Sequence, residues 1–197
     1  MTSESQNIPE ETQPATEEKR VEFNFPMLIL RTKKFGPIFD RLGALRGARY
    51  IAWVFLALVP FVAGIALYLI INSLIGVLAN PAVGQVVREL GPGTMLLLPG
   101  LNPLLPIVYG WFAIVVAVVI HEGAHGIIAR NNGLNVKSSG LLFFLFVPIG
   151  AFVDVDESQL KTVKPRASLK VLAAGFGGNI LLGAACLLCL LVIVGSL

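Results

Sequence analysis

The sequence predicts an all-α polytopic membrane protein, with about three transmembrane helices joined by re-entrant or extended segments that dip into the membrane. Three observations carry that prediction. Hydrophobic residues fill 55% of the 197 positions and the mean hydropathy is +0.79, which does not suit a soluble domain. Three apolar runs, 50–79, 107–129 and 171–197, are long enough to cross a hydrocarbon core of about 30 Å as helices. The basic residues collect on one side of those runs.

Residues 1–20 are rich in Glu, Thr, Ser and Pro and show no apolar period. They cannot bury enough surface to offset the entropy of ordering, so a disordered tail is expected. Over 21–49 a short apolar patch, Phe23 to Leu30, precedes Arg31, Lys33, Lys34, Arg41, Arg46 and Arg49. That order predicts a basic interfacial segment on anionic lipid, with a solvated basic linker as the alternative. No signal peptide is expected ahead of the spans, because the first long apolar run begins only at Ile51.

The membrane domain then occupies 50–197. A fully helical first span, 50–79, is roughly 45 Å long, so it must tilt, kink at Pro60 or run past the hydrocarbon. Pro81, Pro92, Pro99, Pro103 and Pro106, with Gly91 and Gly93, rule out a continuous helix over 80–106. The apolar piece Met95 to Leu105 is too short to span and is expected to be interfacial or re-entrant. The second span, 107–129, meets a helix stop at Asn131-Asn132-Gly133. Leu141 to Val153 is apolar but short, is interrupted by Pro148-Ile149-Gly150, and is rich in Phe and β-branched residues. An extended hairpin dipping into a protein-lined cavity fits it better than a helix. Asp154 to Lys170 is charged and polar, and 171–197 is the third span.

Of the 15 Lys and Arg residues only Arg88 lies between the first two spans. The positive-inside rule therefore places the amino terminus and the 130–170 loop in the cytoplasm. The bilayer is the expected partner of the basic surplus, and no nucleic-acid partner is expected.

The chemistry-bearing stretch is His121-Glu122-Gly123-Ala124-His125, near the cytoplasmic end of the second span. Residues four apart on a helix project from one face about 6 Å apart along the axis, so His121 and His125 can close on one zinc ion. Glu122 stands beside them, placed to take a proton from water on the metal; this is the H-E-x-x-H arrangement of zinc peptidases. The chain has 2 histidines and both are here. A glutamate and two histidines within a span are costly unless they face a ligand or a wet cavity. The structural alternative is an intramembrane polar cluster or proton site.

Other residues read less sharply. Gly123, Ala124 and Gly126 either leave room beside the metal or serve ordinary helix packing. Gly175, Asn179 and Gly183 form one small face on the third span, for close packing or, at Asn179, for substrate binding. Cys186 and Cys189 are read as small core residues. Asp154, Asp156 and Glu157 are read as solvated loop charges, with Asp154 or Asp156 as a third zinc ligand the alternative.

From the first span onward the chain resembles the site-2 protease family of intramembrane zinc metalloproteases, particularly its archaeal and bacterial members. The resemblance rests on HEGAH near the end of a span, the preceding PGLNPLLP (99–106), the following GLLFFLFVPIGAFVDVDE (140–157), and VLAAGFGGN (171–179) opening the next span. It implies a site-2 protease-like core in a prokaryotic cell membrane, zinc on His121 and His125, Glu122 as catalytic base, and transmembrane helices of other proteins as substrates. Such helices must unwind before water can attack, and an edge within 141–153 can hold the unwound strand by β-addition. The family draws its third ligand from an Asp-Gly motif on a later span, and no Asp-Gly occurs here. The resemblance thus implies either the front half of a longer protease, with a carboxy-terminal half supplying that ligand, or a short non-catalytic homologue that binds transmembrane segments.

Overall fold

The computed structural model describes residues 21–196 except 95, 97, 103, 104 and 146. The disordered tail expected over 1–20 lies outside the described residues. In chain order the elements are β1 (Val21–Asn24), β2 (Met27–Thr32), α1 (Gly36–Gly43), α2 (Arg46–Ala79), α3 (Pro81–Leu90), α4 (Ile107–Asn131), β3 (Val136–Phe144), β4 (Val147–Val155), α5 (Glu157–Thr162) and α6 (Pro165–Gly195).

In lipid a backbone must satisfy its own hydrogen bonds, so the apolar runs become helices. Three of them, α2, α4 and α6, with 34, 25 and 31 residues, are long and apolar enough to cross a membrane. The chain continues helically through Pro60. Phe61, Ile65, Tyr68 and Leu78 on α2 and Leu187 to Val194 on α6 stay exposed, as side chains facing lipid do. Glycines let the helices approach closely: a Cβ on Gly177 would overlap the Phe55 ring, and one on Gly178 would press on Ala124 and the Ile120 carbonyl. The buried core, Ala52, Phe55, Ile128, Ala129, Leu134, Val171, Ala173 and Ala174, gathers at the end of the bundle where α2 and α6 begin.

Among its described residues the broken stretch 80–106 holds the short helix α3 and a single 3-10 turn at Pro92–Thr94. Asn80 Oδ1 accepts from Ala82 N–H at 3.0 Å and Pro81 occupies the first turn, a local start signal for α3. Further on, Asn102 is 4% exposed and donates through Nδ2 to the carbonyls of Thr94 and Leu96 at 3.0 and 3.1 Å. Pro99 lies so close over Gly110 that a Cβ there would clash, which fixes this loop on the start of α4. At its other end α4 stops at Asn131, and Gly133 takes the left-handed conformation (φ 78°) that ends helices.

The all-α expectation needs a correction. Four strands form one antiparallel sheet in the order β1-β2-β3-β4. The expected hairpin within 141–153 is there and is longer, built by β3 and β4 with bulges at Lys137 and Ile149. Segment 21–49 supplies β1, β2, α1 and the start of α2, and β2 pairs with β3 from Met27↔Phe144 to Thr32↔Ser139. Periodicity within a window cannot reveal a strand whose partner lies more than a hundred residues away. Helix α1 packs on α4 through Phe39, whose ring covers Gly126, and Asp40 pairs with Arg130 at 3.1 Å.

Both hairpin tips are apolar and exposed: Phe23, Phe25 and Met27 on one, Phe144, Leu145 and Val147 on the other, joined by the Leu145 N–H to Pro26 carbonyl bond of 2.8 Å. The opposite end of the sheet carries Arg31, paired with Glu22 at 3.2 Å and Asp154 at 3.9 Å. The sheet is thus apolar at its hairpin tips and charged at the opposite end.

Candidate active site

The polar residues of α4 meet α6 on one side and β4 on the other. His121, Glu122 and His125 are half-buried, as is Asn179 on α6. The two imidazoles stand edge to face with centroids 5.0 Å apart. Their Nε2 atoms converge: a Cβ built on Gly175 would meet both at the same distance, well inside van der Waals contact. Gly175 therefore keeps open the space at which two ring nitrogens aim. Sequence reasoning took this glycine for helix packing; its period with Asn179 was visible, but its position over the histidines was not. Gly183, on the same stripe, meets no described residue within 4 Å. Of the small residues on α4, Ala124 faces Gly178 and Gly126 faces Phe39, so both serve packing, while nothing lies within 4 Å of a Cβ on Gly123.

The outer nitrogens of the imidazoles are engaged. His125 Nδ1 lies 2.6 Å from the Val171 carbonyl, which can only accept. Nδ1 of His125 thus carries the proton and Nε2 keeps its lone pair for a metal. His121 Nδ1 lies 3.2 Å from the Asn179 amide nitrogen, and Asn179 Oδ1 is buried with no partner among the described residues. A half-turn of that amide exchanges its oxygen and nitrogen. Oδ1 then accepts from His121 Nδ1–H, which frees His121 Nε2 as well, and the amide N–H group points into the vacated buried position. These donors fit zinc, which takes neutral imidazole nitrogens held by second hydrogen bonds.

Glu122 turns away from that pair toward the sheet, where its Oε2 accepts from Val153 N–H at 3.0 Å. β4 is an edge strand, bonded to β3 on one side only, and Pro148 is tolerated there for that reason. Its outward side faces α4 at Glu122. Main-chain groups alternate in direction, so Ala151 presents its N–H and carbonyl on the same side as Val153.

The candidate third ligands are engaged elsewhere. Asp154 pairs with Arg31, and Asp156 accepts from Ser158 and pairs with Lys137 at 3.5 Å. Among the described residues no group of three His, Cys, Asp or Glu side chains is placed to hold a metal. Cys186 and Cys189 are exposed on α6, where they were expected in a core.

Residues 109–196 match the sequence model of Peptidase family M50, the site-2 protease family, in agreement with the resemblance read from the motifs. An uncharacterized protein of Methanocaldococcus jannaschii is 29% identical over 156 residues, which are 78% of this chain and 40% of that protein. The chain thus spans about two fifths of the length of that relative. No solved structure matches the chain.

Proposed function

We propose, with the match of residues 109–196 to Peptidase family M50 as the premise, that this chain is the catalytic-helix portion of an intramembrane zinc endopeptidase. It would hydrolyse peptide bonds in transmembrane segments of other proteins, as in regulated intramembrane proteolysis. The observation that carries the reading is the convergence of His121 and His125 Nε2 over Gly175 beside a carboxylate that accepts from Val153 on the edge strand β4.

Zinc held by His121 and His125 would supply Lewis-acid polarisation of the scissile carbonyl and acidify water. Glu122 serves as general base toward the attacking water and returns the proton to the leaving amine. A helical substrate hides its carbonyls in its own hydrogen bonds and must be held extended. The outward groups of β4 at Ala151, and at Val153 once its N–H is released from Glu122, suit that task by strand addition, and they bring the bound strand to Glu122. The turned Asn179 amide offers its N–H group to a substrate carbonyl, which is the substrate-binding role suggested for it. The third zinc ligand would come from a carboxy-terminal Asp-Gly span. The protein would sit multi-pass in a prokaryotic cell membrane with its amino terminus in the cytoplasm, by the positive-inside rule.

One observation favours a second reading, a membrane module that binds transmembrane segments without cutting them: no third ligand stands beside the histidines among the described residues. Co-expression with a polypeptide carrying an Asp-Gly span, using a single-span reporter substrate, separates the two. Cleavage that Glu122→Gln abolishes supports the protease. Binding of the reporter without cleavage in the presence of that polypeptide supports the module.

A further inference from the structure

Outside the histidine site, α2 and α6 run side by side from the same end of the bundle and leave an apolar groove of about 390 Å³ between them, lined by Leu56, Val59, Ala63, Leu169, Leu172 and Phe176. Its mouth is basic. One turn nearer the helix starts, Lys170 places its Nζ 4.0 Å from the centroid of Trp53, and Lys170 is only 8% exposed. The guanidinium groups of Arg49 and Arg166 act on it electrostatically. On α2, Arg49, Trp53 and Leu56 follow one another at helical spacing, and on α6 Arg166, Lys170 and Ala173 do the same, so charge and groove share one face of each helix.

Apart from the Trp53 ring over Lys170, nothing in the described chain answers this charge. None of Arg49, Arg166 and Lys170 has an acidic partner among the described residues. Neither helix has an acidic residue in its first turn or a side chain capping its start. Two helix starts, each the positive end of its dipole, thus open beside three cations. Like charges gathered at the positive ends of helices repel unless an anion lies among them. A ligand that answers both the charge and the groove needs an anionic head and an apolar tail.

We infer that the α2–α6 groove binds one anionic phospholipid, its phosphate among Arg49, Arg166 and Lys170 beside Trp53, and an acyl chain along Leu56, Val59, Ala63 and Phe176. The site needs only that α2 and α6 cross a bilayer; it is independent of zinc and of proteolysis. Lys170 is kept at the mouth by stacking on Trp53, an aromatic residue at the level where belts of Trp form.

The test is native mass spectrometry of the purified 197-residue chain titrated with phosphatidylglycerol or phosphatidylcholine of the same chains. Phosphatidylglycerol is expected to bind on the order of a hundredfold more tightly, about fivefold for each of three cations near the lipid phosphate. Arg49→Gln and Arg166→Gln, both at exposed positions, should each lower that preference about fivefold with the helical circular dichroism unchanged. Lys34→Gln, a basic residue away from the groove, should leave it as it was. Ala63→Phe, which fills the groove, should remove the phospholipid adduct, and glycerol phosphate without chains should not compete. Equal binding of the two lipids, preference retained in both arginine variants, an adduct that survives Ala63→Phe, or a second copy of the chain seated in the groove would each overturn the site.

Discussion

Asn179 reaches across from α6 to His121 on α4, its side-chain amide 3.2 Å from the imidazole Nδ1. It thereby sets which nitrogen of that ring faces the space over Gly175. Residues in this position behind a metal-binding histidine typically alter affinity by about 10–100-fold when removed. Asn179→Ala is therefore expected to weaken zinc binding about tenfold in a chelator competition. Asn179→Asp, which still accepts from Nδ1–H, should keep it. Nitrogen-15 spectra should show His121 protonated at Nδ1 in the native chain and mixed between its nitrogens in Asn179→Ala. A His121 protonated at Nε2 in the native chain would contradict the turned amide.

Gly175 gives a sharper steric test. In Gly175→Ala the new methyl group lies where both Nε2 atoms point, so zinc content should fall to background while the helices remain formed. Gly183→Ala, on the same stripe but in open space, should bind zinc as before. Equal loss in both variants would mean that the stripe acts through packing alone.

The roles within HEGAH separate by metal content. His121→Ala and His125→Ala should each lose the metal, whereas Glu122→Gln should keep it, because Glu122 faces Val153 and not the imidazole pair. With two protein ligands, the chain alone should bind zinc weakly and cleave no reporter. A companion Asp-Gly span should restore tight binding and cleavage. Robust cleavage by the isolated chain, lost in Asp154→Asn or Asp156→Asn, would show that a loop aspartate completes the site.

Orientation is open to labelling. Lys161→Cys and Gln85→Cys, both at exposed positions, can be introduced after Cys186 and Cys189 are replaced by alanine. An impermeant reagent outside intact cells should reach position 85 and not 161. The reverse pattern would invert the topology.

Acid should loosen the start of α5. The Ser158 hydroxyl, donating to Asp156, holds that carboxyl below its ordinary value of 3.8, against some loss of hydration, with Ser158 N–H and Lys137 assisting. A carboxyl whose pKa is lower in the folded chain stabilises it fully above about 3.8, and the contribution disappears as pH falls through the folded value. Hydrogen exchange at Leu160, whose N–H bonds to the Asp156 carbonyl at 2.9 Å, should accelerate in that range. Asp156→Ala should remove the pH dependence.

What the sequence disclosed divides by the distance over which each signal acts. The three long helices, the stop at Gly133 and the pairing of His121 with His125 follow from spacing within one segment, and all were legible. The hairpin of β3 and β4 was legible as well, because its strands are neighbours in the chain. The union of β2 with β3 was not, since Phe23 to Leu30 reads as an apolar patch until its partner is known. At the site, Val171 and Val153 act through backbone groups that no side-chain motif announces. Gly175 showed a period but not its counterpart, because helix packing fixes which face meets the histidines.

The bond between β2 and β3 also counts membrane crossings. Strands paired residue by residue share one side of any bilayer, so an inserted chain would cross it an even number of times between Thr32 and Val136. Among the described residues between them, α2 and α4 alone are long and apolar enough to cross, and two is an even count. Biogenesis inherits an order from this parity. The β1–β2 hairpin would emerge first, with the far edge of β2 unfilled until α2 and α4 have been made and inserted. Only then can β3 close the register with β2, and β4 follows to meet Glu122. A chain whose α4 failed to return would leave β2 a free edge, open to pairing with another chain.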